Sequence, residues 1–207
     1  MKMGVGCVIV NYNTPEIISK AVHSVIDQVD KLVIVDGSDT GNPAYKECDS
    51  LISNKVSVIH THRNTGHGPG LHLGIVSLDV EFIICMDSDA VLIDKTLIPE
   101  MRKALSAKEV YGVGHVARVN RIGENIKTEK NYIGYLHPYF CMFRNAVYFK
   151  YHAFINHGAP FILTMRQIQG KMKLVYIKDM RKRCLHEGKV TRGMIGERKW
   201  GKNWVKI

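Results

Sequence analysis

The sequence predicts an α/β fold with a mostly parallel central sheet, helices on both faces and a smaller, mixed second half. Short apolar runs alternate with helical patterns through the first 90 residues, and each run stops at a polar cluster. No linker or low-complexity stretch divides the chain, so one domain is expected over residues 1–207. Alternation of this kind marks parallel strands joined by helical crossovers, and right-handed crossovers bring the carboxyl ends of the strands to one rim.

Residues 5–10 are continuously apolar, as in a strand buried on both faces. Thr14 and Pro15 start a helix, the hydroxyl as cap and the proline at the first helical position. Ile17, Ile18, Ala21, Val22, Val25 and Ile26 follow at amphipathic spacing. A second strand, 32–35, ends at Asp36 and leads to a short helix over 44–52. A third, 55–59, runs into His62-Arg63-Asn64-Thr65-Gly66, and Pro69 opens a helix through Leu71, Ile75 and Leu78. The fourth, 82–86, stops at Asp87-Ser88-Asp89. Beyond it the pattern loosens. A helix is expected over 96–107, strands over 111–119 and 132–143, a late helix over 159–169, a strand over 174–177 and a basic tail from Arg181. The organisation read from this is a first half to residue 90, a second from 91 to 180, and a tail, 181–207.

Each polar cluster lies just past a strand's carboxyl end, so Asn11, Asp36, Arg63, Asn64, Asp87 and Asp89 are expected to converge where ligands of open α/β sheets bind. Asp87 and Asp89, two residues apart, offer hard oxygen ligands to a divalent cation, although such a triplet alone also suits a solvated turn. The glycines at 66, 68, 70 and 74 do not make a dinucleotide fingerprint, whose place after the first strand is held by Asn11-Tyr12-Asn13-Thr14. Nor do they make a phosphate loop, since no Gly-Lys-Ser/Thr closes the run. Loop freedom and close helix packing account for most of them.

Net charge is the unusual bulk property. With 29 Lys and Arg against 19 Asp and Glu, the formal charge is +10, which favours phosphates, anionic membranes or acidic glycans as partners. The 5 cysteines form no CxxC pair and read as reduced thiols of an intracellular protein. The apolar start is too short for a signal peptide, and no run approaches the roughly 20 apolar residues of a membrane span. A cytoplasmic location, with any membrane contact made from the surface, is the expectation.

In their order, these segments resemble the family 2 glycosyltransferases, nucleotide-sugar-dependent enzymes with the Rossmann-like GT-A fold. Val8-Ile9-Val10-Asn11-Tyr12-Asn13 looks like that family's first strand and turn, and Leu32-Val33-Ile34-Val35-Asp36-Gly37-Ser38-Asp39 like its second. Arg63-Asn64-Thr65-Gly66 with the following glycines is similar to its third segment, and residues 82–89 to its D-x-D strand. His186-Glu187-Gly188-Lys189-Val190-Thr191-Arg192 resembles the His-containing segment of rhamnosyltransferase-like members. The resemblance implies a UDP-, dTDP- or GDP-sugar donor and a Mn2+ or Mg2+ ion that offsets charge on the diphosphate leaving group. It gives Asp36 to the nucleoside base, Asp87 to the ribose or the metal shell, and Asp89 to the metal. It also gives Arg63 to phosphate, and Asn64 to the donor or to the ordering of its own loop. His186 would complete the metal site or contact the diphosphate, with Lys189 and Arg192 adding positive charge.

One departure concerns the base that deprotonates the acceptor in inverting members, usually an Asp ahead of the late helix. Residues 154–161 contain no carboxylate. His157 has a suitable pKa range for that role, with Asp179 or Glu187 as alternatives, and stereochemistry stays open. The acceptor implied by charge is a polyanion or its surface: a modified DNA base, as in virus-type transferases acting in a host cytoplasm, or a lipid-linked or surface glycan. Two other classes share some of these features. A nucleotidyltransferase would need a basic glycine-rich loop after the first strand, and a non-catalytic nucleic-acid-binding module would leave the strand-end carboxylates without a role.

Overall fold

In the computed structural model, which describes residues 2–127, 130–156 and 158–186, the alternation is present element by element as far as Asp87. β1 (Lys2–Asn11), β2 (Lys31–Asp36), β3 (Val56–His60) and β4 (Val80–Asp87) are separated by α1 (Pro15–Val25), α2 (Pro43–Ser50) and α3 (His67–Val76). The four strands are parallel neighbours in the order β3-β2-β1-β4. Their runs are uniformly apolar because both faces are covered. Cys7 and Ile9 share a buried cluster with Ile18 and Val22 of α1, while Val8 packs on the other side with Leu71 and Ile75 of α3.

The second half contains β5 (Ala90–Leu92), α4 (Leu97–Ala104), β6 (Val110–Val119), β7 (Ile133–Arg144), α5 (Asn145–Tyr148), α6 (Ile162–Ile168), β8 (Lys173–Tyr176), α7 (Met180–Arg183) and β9 (Cys184–His186). β7 lies antiparallel to β4, β6 antiparallel to β7, and β8 parallel to β6, giving the seven-stranded order β3-β2-β1-β4-β7-β6-β8. Two reversals restore the direction, so β6 and β8 run the same way as β4. β5 and β9 form a separate antiparallel ribbon.

Three local readings change. The Thr14 hydroxyl does not cap α1 but donates to Asn11 Oδ1, although Pro15 does open the helix. The late helix starts at Ile162, after a turn through Pro160. Residues 181–186, read as the start of a basic tail, are a helical turn and a strand, with Cys184 fully buried. Positive charge makes that segment look solvated, but Arg183 lies in ion pairs with Asp94 and Glu100.

The glycine run is a packing device. A Cβ at Gly74 would stand 2.3 Å from Val8 Cγ1, and one at Gly70 would stand 2.9 Å from Val10 Cγ1. Only hydrogen at these positions lets α3 lie this close to β1. All five cysteines are buried free thiols. Among the described residues, no helix is long and apolar enough to cross a membrane.

Candidate metal and donor site

Parallel registration builds the site. Asn11 is paired with Asp36 across β1 and β2, and Val10 with Asp87 across β1 and β4, so the strand-end groups expected to converge do share one rim. Asp87 closes β4, and Asp89 follows before β5 turns away. From β5, the ladder Ala90↔His186, Val91↔Leu185, Leu92↔Cys184 returns the chain and sets His186 beside both carboxylates. His186 Nε2 lies 3.2 Å from Asp87 Oδ2 and 3.1 Å from Asp89 Oδ1. One ligand atom from each of the three residues falls within a 4.8 Å cluster.

Electrostatics hold this triad together. Burial opposes charge on His186, yet hydrogen bonds to Asp87 and Asp89 and their negative charge outweigh it, and its pKa is pushed up to about 9. Burial likewise opposes charge on Asp87, but His67 and His186 hold its carboxyl well below the usual range. Asp87 Oδ1, 3.2 Å from His67 Nε2, is buried without a well-aligned donor. Two carboxylates, an imidazole and an oxygen with lone pairs to spare are a donor set suited to Mn2+ or Mg2+. His67, at the first turn of α3, carries no separate signal in the sequence because it sits inside the glycine run.

The wall beside the triad comes from a bulge in β7. Gly114 pairs with Cys141 and Val116 with Leu136, so residues 137–140 stand opposite His115 alone. Pro138 brings no amide donor, which suits a break in the ladder, and such bulges re-aim side chains next to sites. Here Tyr139 stacks on His186 with ring centroids 5.0 Å apart and planes 16° from parallel, and His137 stands edge-on to it at 6.4 Å. Burial is the main cause that lowers the His137 pKa to about 4; the Asp87 charge works against it, and the neighbouring histidines reinforce it. His137 is therefore neutral at pH 7. The Tyr139 hydroxyl is buried without a hydrogen-bond partner.

On the other side of the rim, Asp36 is entirely buried. Its Oδ1 accepts from Asn11 Nδ2 at 2.9 Å and Ser38 Oγ at 2.7 Å, and its Oδ2 lies 3.2 Å from His60 Nδ1. His60 Nε2 is in turn 2.9 Å from Asp49 Oδ1, and Tyr45 stacks on the imidazole at 3.7 Å. Tyr45, Asp49 and His60 carry no sequence signal, since each is an ordinary residue until the fold sets His60 against Asp36 and the other two against His60.

Arg63 and Asn64 occupy an exposed loop beyond β3. Asn64 Oδ1 accepts from Gly66 N at 2.9 Å, so it orders its own turn. A Cβ at Gly37 would lie 2.7 Å from the Arg63 carbonyl, which shows how closely this loop crosses the end of β2. Asp179 has φ 54 at the start of α7, and its exposed carboxylate lies 3.6 Å from Lys182 Nζ, paired with that residue and with none of the triad. His157, Glu187, Lys189 and Arg192 lie outside the described residues.

The model of glycosyl transferase family 2 matches residues 7–167. The chain belongs to glycosyl transferase family 2. Solved structures with the same fold include a mannosyltransferase, PcManGT from Pyrobaculum calidifontis, in complex with GDP-Man and Mn2+. This family 2 chain matches it at TM-score 0.64 and 12% identity, over 87% of its own length and 56% of that protein's. GalNAc-T7 with UDP, GalNAc and Mn2+ matches at TM-score 0.65 and 15% identity, over 84% and 41%. The glucosyl-3-phosphoglycerate synthase of Mycobacterium tuberculosis, in complex with Mn2+, UDP and glucosyl-3-phosphoglycerate, matches at 0.60 and 13%, over 84% and 70%. The chain thus spans about half the length of the first two. No curated protein is significantly similar to it in sequence.

Proposed function

We propose that this family 2 chain transfers a sugar from a nucleotide-sugar donor to an acceptor hydroxyl, using a divalent cation held by Asp87, Asp89 and His186. The Asp87–Asp89–His186 cluster at the carboxyl ends of parallel strands carries this reading. The Mn2+ and nucleotide complexes of the three structural neighbours support it. A bound Mn2+ or Mg2+ would supply Lewis-acid stabilisation of the diphosphate as the sugar bond breaks.

In this proposal the first half, residues 1–90, binds the donor. Asp36, expected from the sequence to contact the nucleoside base itself, is fully buried with Asn11, Ser38 and His60 on its oxygens, so its network is proposed instead to fix the floor beneath the nucleoside, and Arg63 with Asn64 to meet the phosphate end. Lys189 and Arg192 would screen the departing nucleotide, while His186 is fixed by the stacked Tyr139 ring. For the acceptor base we put forward His157, with Asp179 as second candidate. The acceptor is proposed as a polyanion or a surface bearing one, either a modified DNA base or a lipid-linked or surface glycan, on the strength of the +10 charge.

A panel of UDP-, dTDP- and GDP-sugars scored for hydrolysis tests the donor reading without an acceptor. One donor should turn over with Mn2+ and fall to background in EDTA. Asp89→Ala should cost about a hundredfold, the scale of losing one electrostatic stabiliser of the transition state. Undiminished metal-stimulated turnover in that variant would sink the metal assignment, and no turnover of any donor would sink the transferase reading.

A further inference from the structure

His186 reaches the two carboxylates from about a hundred residues further along the chain, a closure that costs entropy and has to be held by local contacts. The ladder holding it has three residue pairs, too few to persist alone. Besides the buried Cys184 and the Tyr139 ring stacked on His186, a further fastening is Arg183. Its Nε donates to Asp94 Oδ2 at 2.7 Å, its Nη1 lies 2.7 Å from Glu100 Oε2, and its Nη2 donates to Thr96 Oγ1 at 3.3 Å. Its carbonyl accepts from Ile93 N at 2.9 Å and Asp94 N at 3.0 Å. One residue thereby ties three things together: the strand carrying His186, the loop leaving β5, and the first turn of α4. The acceptors are themselves fixed, because Asp94 Oδ1 also takes Thr96 N at 2.8 Å and Thr96 Oγ1 at 2.7 Å. A guanidinium suits this position, since its planar fork serves several acceptors at once where an ammonium serves one as a point charge.

We infer that Arg183 is a positioning residue for the cation site, holding β9 against β5 so that His186 Nε2 stays within reach of Asp87 and Asp89. This rests on the reading of that triad as a metal site. None of the contacts of Arg183 named above is with a strand of the seven-stranded sheet, whose two buried clusters stand without it. Its loss therefore frees a local segment and leaves the sheet folded.

Titration of the metal-free chain with Mn2+, followed by the electron paramagnetic resonance of the free ion, tests this directly. Arg183→Ala should weaken Mn2+ binding about 10- to 100-fold, the usual effect of removing a group that orients a ligand. Arg183→Lys should recover part of the loss. Glu100→Gln, which leaves the arginine in place, should give a smaller loss in the same direction and serves if Arg183→Ala does not fold. In a His186→Ala background, Arg183→Ala should cost nothing more, and the urea midpoint in EDTA should barely move. Wild-type affinity in Arg183→Ala, or an equal loss on top of His186→Ala, would overturn the inference. A wild-type chain that binds no Mn2+ would instead overturn the metal reading itself.

Discussion

On the proposed assignment, proton and metal compete for the same nitrogen, His186 Nε2, and the competition sets a pH dependence. In the metal-free chain His186 has a pKa of about 9, so at pH 7 about one molecule in a hundred offers a neutral imidazole. Metal binding must displace that proton. Apparent Mn2+ affinity should therefore rise about tenfold per pH unit between pH 6.5 and 8.5 and level off above 9. Fold stability of the metal-free chain should move the other way. A folded pKa raised above the ordinary 6.5 gives stability that is full below 6.5 and lost as pH rises through about 9. The depressed Asp87 does not interfere, because its contribution is lost only on acidification below the ordinary carboxylate range. Calorimetry at pH 7 in two buffers of different ionisation enthalpy should report about one proton released per Mn2+ bound. His186→Ala should bind more weakly and lose the slope. An affinity independent of pH, with no proton release, would refute the reasoning, because it would mean that His186 is not a ligand.

Two further outcomes follow from the packing and the charge. Gly74→Ala would push a methyl to 2.3 Å from Val8 Cγ1 in the core. Such overpacking costs about 1–3 kcal/mol, only partly offset by alanine's helix preference over glycine of about 1 kcal/mol. The urea midpoint should fall, whereas Gly41→Ala, where a Cβ meets nothing within 4 Å, should leave it unchanged; equal midpoints would show that α3 does not lie so close to β1. For the acceptor, gel-shift and vesicle-sedimentation titrations across a salt series separate the two proposed classes. Steep salt-dependent retention on duplex DNA favours a DNA acceptor, and retention on anionic vesicles alone favours a lipid-linked or surface glycan.

How far the chain can be read depends on how each feature is encoded. β1 to β4 are legible because strands buried on both faces must be continuously apolar, and residues 82–86 follow three such runs at the same alternation with helical patterns. Asp87 and Asp89 stand out because carboxylates at a strand's end break that pattern abruptly. β5 and β9 are not legible, since three residues are too few to show a period, and the charge of Arg183 argues for solvent until its partners are known. The bulge that brings His137 and Tyr139 to His186 depends on pairing between β6 and β7, which no local pattern records. The position of Asp36 at the rim is legible from the end of its strand, but its burial under Asn11, Ser38 and His60 follows from three separate segments meeting.

The ribbon of β5 and β9 also orders events in time. Chains emerge from the ribosome amino end first, and domains begin to fold as they appear. The strands that carry Asp87 and Asp89 can pair early, yet the proposed third ligand, His186, is not in place until residue 186 has been synthesised and docked. On the proposed assignment a nascent chain would hold Mn2+ only weakly while most of its sheet is complete, and a proteolytic nick just before β9 would return a finished molecule to that condition. On that same assignment, tight cation binding is a late acquisition of maturation, separable from the folding of the sheet beneath it.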